Sequence, residues 1–236
     1  MNIENFILAH SLNQNYKPLL LEANVHFRPS VNSMSLVSLS AEKPELGVQC
    51  NLAKYNQPDD LQMLILRDVE KINAKLIPQR PTPEKELQSW IIKYALSNSD
   101  SLPFDHNIKF ITSELAIYNK SNQRIVTDIL GYNQDTNQLC VIELKSDRLL
   151  KRLIEQVENF ESIIRENFEF FEKLVSLYGL TNEKVPSREV MKIIVWRDEK
   201  TSPLSKINEA GIKEITYVKQ QNNYVFKCFA NLLNRI

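Results

Sequence analysis

One short apolar run with two charges set into it limits what this chain can fold into. Leu139-Cys140-Val141-Ile142-Glu143-Leu144-Lys145 reads as a strand covered on both faces, since such strands are continuously apolar rather than alternating. Glu143 and Lys145 lie two apart, so their side chains leave the same face. A charge buried there without a partner is strongly unfavourable, so this strand needs an ion pair or a metal. Upstream, Ile125-Val126-Thr127-Asp128-Ile129-Leu130 sets a third charge into an apolar strand. Antiparallel pairing of the two brings Asp128 beside Glu143. Adjacent carboxylates repel unless a cation lies between them. Oxygen donors suit Mg²⁺ or Mn²⁺, ions that polarise phosphate oxygens and activate water. A lysine beside them stabilises charge developing on a phosphoryl group or positions the water. The alternative is a structural ion pair of Glu143 and Lys145 at a strand end, with Asp128 in a turn.

The neighbouring segments read as a mixed α/β unit. The spacing predicts a helix from about Pro83 to Leu96, with proline in its first turn. Strands are expected over Asn107 to Tyr118 and Gln123 to Tyr132, joined by Asn119-Lys120-Ser121-Asn122. After the charged strand comes one long helix from about Asp147 to Leu177, with Leu153, Val157, Phe160, Ile164, Phe168 and Phe171 among its apolar positions. Met191 to Trp196 and Ile212 to Val218 read as further strands, with a short helix over Pro203 to Ala210 and a closing segment from Asn222. Trp90 and Trp196 read as core residues rather than base-stacking platforms.

Residues 1–79 differ. Short apolar runs such as Leu19-Leu20-Leu21 and Ser35-Leu36-Val37-Ser38-Leu39, punctuated by Pro18, Pro29 and Pro44, read as a small β-rich unit. A helix capped by Asp59 or Asp60 ends it, with Leu61, Leu64, Ile65, Val69, Ile72 and Leu76 on its apolar face. Pro78, Pro81 and Pro83 restrict themselves and their predecessors to extended backbone, which places a domain boundary there, between 1–79 and 80–236.

Composition excludes several classes. Lys plus Arg number 29 and Asp plus Glu 29, so the chain is no bulk polycation coating nucleic acid, though a local basic groove is allowed. Apolar residues at 43% and charged residues at 25% indicate a folded globule. With 4 glycines and no GxGxxG or GxxxxGK[ST], the common nucleotide cradles are missing. The 3 cysteines form no CxxC and the 3 histidines no HExxH, which argues against a disulfide framework, structural zinc and histidine-held metal. There is no long unbroken apolar run, and Met1-Asn2-Ile3-Glu4 lacks a basic leader region. A cytoplasmic protein with no membrane partner is the expectation.

Asp128 followed by Glu143-Leu144-Lys145 resembles the PD-(D/E)xK nuclease superfamily, with Thr127 at the nominal proline position. The order of elements from about Glu84 to Val218 matches as well. The resemblance implies a restriction-endonuclease-like core: a central mixed sheet flanked by helices, here preceded by the small β-rich unit. It implies Asp128, Glu143 and the Leu144 carbonyl as ligands of Mg²⁺ or Mn²⁺, and Lys145 as the catalytic cation. Gln156-Val157-Glu158-Asn159-Phe160 is similar to the Gln-x-x-x-Tyr feature of RecB-type nucleases, which makes Gln156 a site candidate; Phe160 departs from that pattern and reads as core. A glutamate on the leading helix is a further ligand in many members. Glu84 shares a helical face with Leu87 and Ile91, so it is preferred over Glu86; both also complement the helix dipole. Arg148, Lys151 and Arg152 follow the motif as phosphate contacts, or as a solvated helix face.

The stretch Glu143 to Arg148, with Glu84-Lys85-Glu86-Leu87, is similar to NucS-type endonucleases, which join a β-rich domain to such a catalytic unit; residues 1–79 carry no motif match to that domain. The implied function is a metal-dependent nuclease on nucleic acid, DNA first, in repair, restriction or defence. The alternatives are a catalytically silent module of that fold and an unrelated α/β domain with a structural ion-pair network. RNA cleavage, endo- versus exonuclease action, a homodimer and a protein partner for residues 1–79 stay open.

Overall fold

Two sheets organise the chain. The computed structural model describes residues 2–40, 47–50, 52–55, 60–75, 82–145, 150–180, 186–198 and 211–228. The expected boundary at Pro78 and Pro81, the cap at Asp59, the short helix over 203–210 and Arg148 lie outside the described residues.

The smaller sheet is a three-stranded antiparallel meander of β1 (Val25–Pro29), β2 (Met34–Ser38) and β3 (Gly47–Cys50). Four helices accompany it: α1 (Glu4–Asn15), α2 (Lys17–Glu22), α3 (Leu52–Tyr55) and α4 (Leu61–Ala74). The expectation of a β-rich unit is therefore met only by this sheet. Leu19-Leu20-Leu21 belongs to α2, with Pro18 in its first turn, where the missing N–H is no loss. Phe6, Ala9 and Leu12 form the buried stripe of α1 at helical spacing. Ala9 and Leu12 pack with Phe27, Leu36, Ile65 and Ile72 into one core. Asp60 takes the N-cap position of α4 without a side-chain cap bond.

The larger sheet has seven strands in the order β10-β9-β8-β7-β6-β5-β4. These are β4 (Ser101–Leu102), β5 (Asp105–Tyr118), β6 (Arg124–Asn133), β7 (Gln138–Lys145), β8 (Val190–Arg197), β9 (Ile212–Gln220) and β10 (Asn223–Cys228). The pairs β7–β8 and β8–β9 are parallel, and the others antiparallel. The β5–β6 hairpin closes on Asn119, whose Oδ1 accepts from the Ser121 and Gln123 amides, with Asn122 at φ 58°. The β6–β7 hairpin closes on Asn133 in the same way, through the Asp135 and Thr136 amides. Gly131 lets β5 approach: a Cβ there would stand 2.9 Å from Ile108 Cγ2 and 3.0 Å from the Lys109 carbonyl.

Helix α5 (Pro83–Ser97), capped by Thr82 with Pro83 in its first turn, covers one face of this sheet. Its Leu87, Ile91 and Ala95 pack on Cys140, Ile142 and Leu144. Helix α6 (Leu150–Glu166) covers the other, where Leu153, Val157 and Phe160 join Leu139, Val141, Ile194 and Trp196. β7 is thus covered on both sides, as its apolar sequence requires. The expected single helix to Leu177 is two: Asn167 ends α6 by donating its side chain to the Ile163 carbonyl at 2.9 Å, and α7 (Phe168–Leu177) starts anew. Phe6 meets Phe170 edge to face at 5.6 Å, and Gln14 donates to Asp100 at 3.1 Å, seating α1 against the larger unit. Among the described residues, no helix is long and apolar enough to cross a membrane.

Candidate functional site

The site grows from a fork between β6 and β7. The two strands pair from Asn133↔Gln138 up to Ile129↔Ile142. Beyond that rung β6 stays with β5 as far as Arg124, and β7 stays with β8 as far as Lys145. Diverging strands leave backbone groups without ladder partners, and buried groups of that kind must be satisfied otherwise. Side chains take them up. Asp128 Oδ2 accepts from the Leu144 amide at 2.8 Å, and Glu143 Oε1 accepts from the Asp128 amide at 3.4 Å. Thr127 Oγ1 donates to the Ile129 carbonyl at 3.2 Å. The fork therefore brings together Asp128, Glu143 and Leu144, as the sequence anticipates.

Lys145 completes the group. Its Nζ lies 3.7 Å from Glu143 Oε2 and 3.9 Å from Asp128 Oδ2. Those distances exceed a charge-assisted hydrogen bond of about 2.7–2.9 Å, so the lysine acts as a nearby charge rather than a bonded donor. Glu143 is sealed, with a side-chain exposure of 0%, and its buried Oε2 has no hydrogen-bond partner. Burial raises the Glu143 carboxyl well above its ordinary value, the Asp128 charge adds to this, and Lys145 opposes it. Asp128 is raised as well, by burial first and by the charge of Glu114, against Lys145 and the Leu144 amide.

Two raised carboxylates and one orphaned buried oxygen form a set that a divalent cation would relieve. All available donors are oxygens, which suits Mg²⁺ or Mn²⁺. No group of three or more His, Cys, Asp or Glu among the described residues could hold a metal by side chains alone. Mg²⁺ is commonly held by one or two carboxylates while keeping several waters, so two carboxylates and a backbone carbonyl are adequate donors.

Three residues beside the fork lie outside the site candidates of the sequence. Glu114 on β5 takes φ 50°, a left-handed conformation that a non-glycine residue rarely adopts. Lys85 on α5 pairs with its carboxylate, and Gln88 Nε2 donates to the same Oε1 at 2.9 Å. Gln88 Nε2 also donates to the Asp128 carbonyl at 2.8 Å. Burial pushes the Glu114 carboxyl up, but Lys85 and Gln88 together outweigh it and hold the group below its ordinary value. The one visible hint is the polar Thr112-Ser113-Glu114 between Ile111 and Leu115.

The other described sequence candidates lie on α5, α6 and β8. Glu84 and Glu86 both act on Tyr217 of β9, whose hydroxyl is raised mainly by burial, and Glu86 pairs with Lys219 at 2.5 Å. From α5, Gln88 reaches the Asp128 backbone. Gln156 is half-buried on α6, next to Val157 of the core. Lys151 and Arg152 lie on α6, with side chains outside the described set. Phe160 and Trp196 are fully buried core residues. Trp196, aligned with Lys145 across the β7–β8 ladder, donates its indole N–H to Glu214 at 2.7 Å.

No known family model matches the chain, and no curated protein matches its sequence.

Proposed function

We propose that this chain is a metal-dependent phosphodiesterase that cleaves nucleic acid, with DNA as its substrate. The observation that carries the reading is the fork: Asp128, Glu143 and Lys145 meet there within 4 Å, around a buried Glu143 oxygen that lacks a donor. The order α5-β5-β6-β7-α6-β8, with helices on opposite faces and β7 parallel to β8, supports a restriction-endonuclease-like core.

Asp128, Glu143 and the Leu144 carbonyl would hold Mg²⁺ or Mn²⁺. Such an ion, when bound, polarises phosphate oxygens and lowers the pKa of bound water. Lys145 offsets the negative charge that gathers on a phosphoryl group during in-line attack. Asp128 and Lys145 keep side-chain exposures of 19% and 22% while Glu143 keeps 0%, so a phosphate approaches from the Asp128–Lys145 side. Lys151 and Arg152, in the first turn of α6, and Arg148, which precedes that helix in sequence, are placed in sequence to meet neighbouring phosphates.

The test is cleavage of labelled single-stranded, duplex, mismatched and branched DNA, and of RNA, with Mg²⁺, Mn²⁺ or EDTA. Wild type and Lys145→Ala run in parallel. Metal-dependent cutting that is lost in the variant is expected. Ion binding without cutting of any substrate would favour a silent nuclease-fold module. Undiminished cutting by Lys145→Ala would remove Lys145 from the site.

A further inference from the structure

We infer that Gln88 is a positioning residue for Asp128, acting through a bridge that ties α5 to the Glu114 carboxylate and to the Asp128 backbone; the inference rests on the function proposed above. A glutamine amide has two N–H donors, and Gln88 directs both into this contact. Gln88 is 3% exposed, so water does not compete for those donors. One of them holds the carbonyl of the very residue whose carboxylate stands in the fork.

The partner on the other side of the bridge is built at a conformational cost. Glu114 sits at φ 50° in the middle of β5, between the rungs Ser113↔Ile129 and Leu115↔Thr127. A left-handed non-glycine residue persists only where its surroundings over-determine it, and such residues gather at functional sites. Glycine would take this backbone without strain. What glutamate adds is a carboxylate that Lys85 and Gln88 hold at the back of Asp128. The β6–β7 ladder cannot do this work, because the two strands part at Ile129, although β6 stays paired with β5 on either side of Asp128. Gln88 thus holds the Asp128 carbonyl where β7 has parted from β6. Support of this kind behind a metal-binding carboxylate is typically worth about 10–100-fold in metal affinity.

The experiment titrates the full chain with Mn²⁺ by calorimetry, without nucleic acid. It compares wild type, Asp128→Asn, Gln88→Met and Glu114→Gly. Gln88→Met keeps the length of the side chain and removes both donors. Glu114→Gly suits the left-handed backbone, so it folds even if Gln88→Met does not. Both variants are expected to bind Mn²⁺ about 10–100-fold more weakly, with the melting temperature in EDTA close to wild type for Glu114→Gly and lower for Gln88→Met, which strands the Asp128 carbonyl. The Mn²⁺ concentration for half-maximal cutting of labelled duplex DNA should rise in step, and saturating Mn²⁺ should recover the rate. Wild-type Mn²⁺ affinity in Glu114→Gly, and in Gln88→Met if it folds, overturns the bridge while the nuclease reading stands. Absence of Mn²⁺ binding by wild type overturns the nuclease reading first, and the bridge with it.

Discussion

Asp128 and Glu143 hold each other in place through the backbone amides of the opposite strand. The Asp128 amide donates to Glu143 Oε1 at 3.4 Å, and the Asp128 carboxylate accepts from the Leu144 amide, next to Glu143, at 2.8 Å. Each strand thus supplies an acid that satisfies the other strand's amide. The arrangement fixes both acids without a cation, so a cation held there would meet little reorganisation.

This coupling predicts opposite effects of Glu143→Gln on stability and function. The variant keeps an oxygen for the Asp128 amide and removes a charge disfavoured by burial and by Asp128. In EDTA above neutral pH it should be more stable than wild type, by about 1 kcal/mol, or about 2–4 °C in Tm for a chain of this size. Its Tm should no longer respond to Mn²⁺. Differential scanning fluorimetry with and without Mn²⁺ reads both effects; a Mn²⁺ shift equal to wild type would remove Glu143 from the ion site.

The pH dependence of the metal-free protein follows from the same two groups. Both Glu143 and Asp128 are raised, so the folded state binds their protons more tightly than the unfolded state does. Their contribution to stability is complete below the ordinary carboxylate value and is lost as pH rises through the raised folded values. Glu114 and Glu161 are lowered and contribute in the opposite sense, above the ordinary value. Comparing wild type with Asp128→Asn/Glu143→Gln isolates the fork. In EDTA, the difference in Tm should grow in the variant's favour with rising pH, and Mn²⁺ should reverse it. A difference independent of pH would contradict the raised values.

The site was legible in the sequence because its charges break a rule. Glu143 and Lys145 interrupt an otherwise apolar strand, and Asp128 interrupts its neighbour. The second layer was not legible, because Gln88 and Glu114 break no rule a linear pattern can see. Gln88 reads as a polar helix residue until β6 is laid beneath it, and no glycine marks the left-handed turn at Glu114. The larger sheet's long strands and α5 follow from apolar periodicity and Pro83. Helices α1 and α2 escape, since α1 buries the polar Asn5 beside Phe6 and three successive leucines carry no helical period. The break at Asn167 is hidden inside an apolar pattern that runs on through Phe168 and Phe171, because the break comes from one side-chain amide.

The close approach of β5 and β6 predicts a cost for Gly131→Ala. The added methyl would lie 2.9 Å from Ile108 Cγ2 and 3.0 Å from the Lys109 carbonyl, and a backbone atom cannot rotate away. Overpacking of this kind costs about 1–3 kcal/mol. Urea unfolding should show it as a lower midpoint with an unchanged slope. An unchanged midpoint would mean that the two strands separate without penalty.

Trp196 and Glu214 supply a test of how the sheet is held beside the fork. The indole N–H reaches Glu214 Oε1 at 2.7 Å, and Glu214 is itself buried. Trp196→Phe removes the donor and leaves a buried acceptor short of a partner, at about 1–3 kcal/mol. Glu214→Gln retains an oxygen for the indole and should cost less. In the double variant Trp196→Phe/Glu214→Leu no polar atom is stranded, so part of the loss should return. Urea unfolding of wild type, Trp196→Phe, Glu214→Leu and the double variant forms a thermodynamic cycle. Strictly additive effects would show that the indole bond carries no stabilisation of its own, and that Trp196 holds β8 against α6 by packing alone.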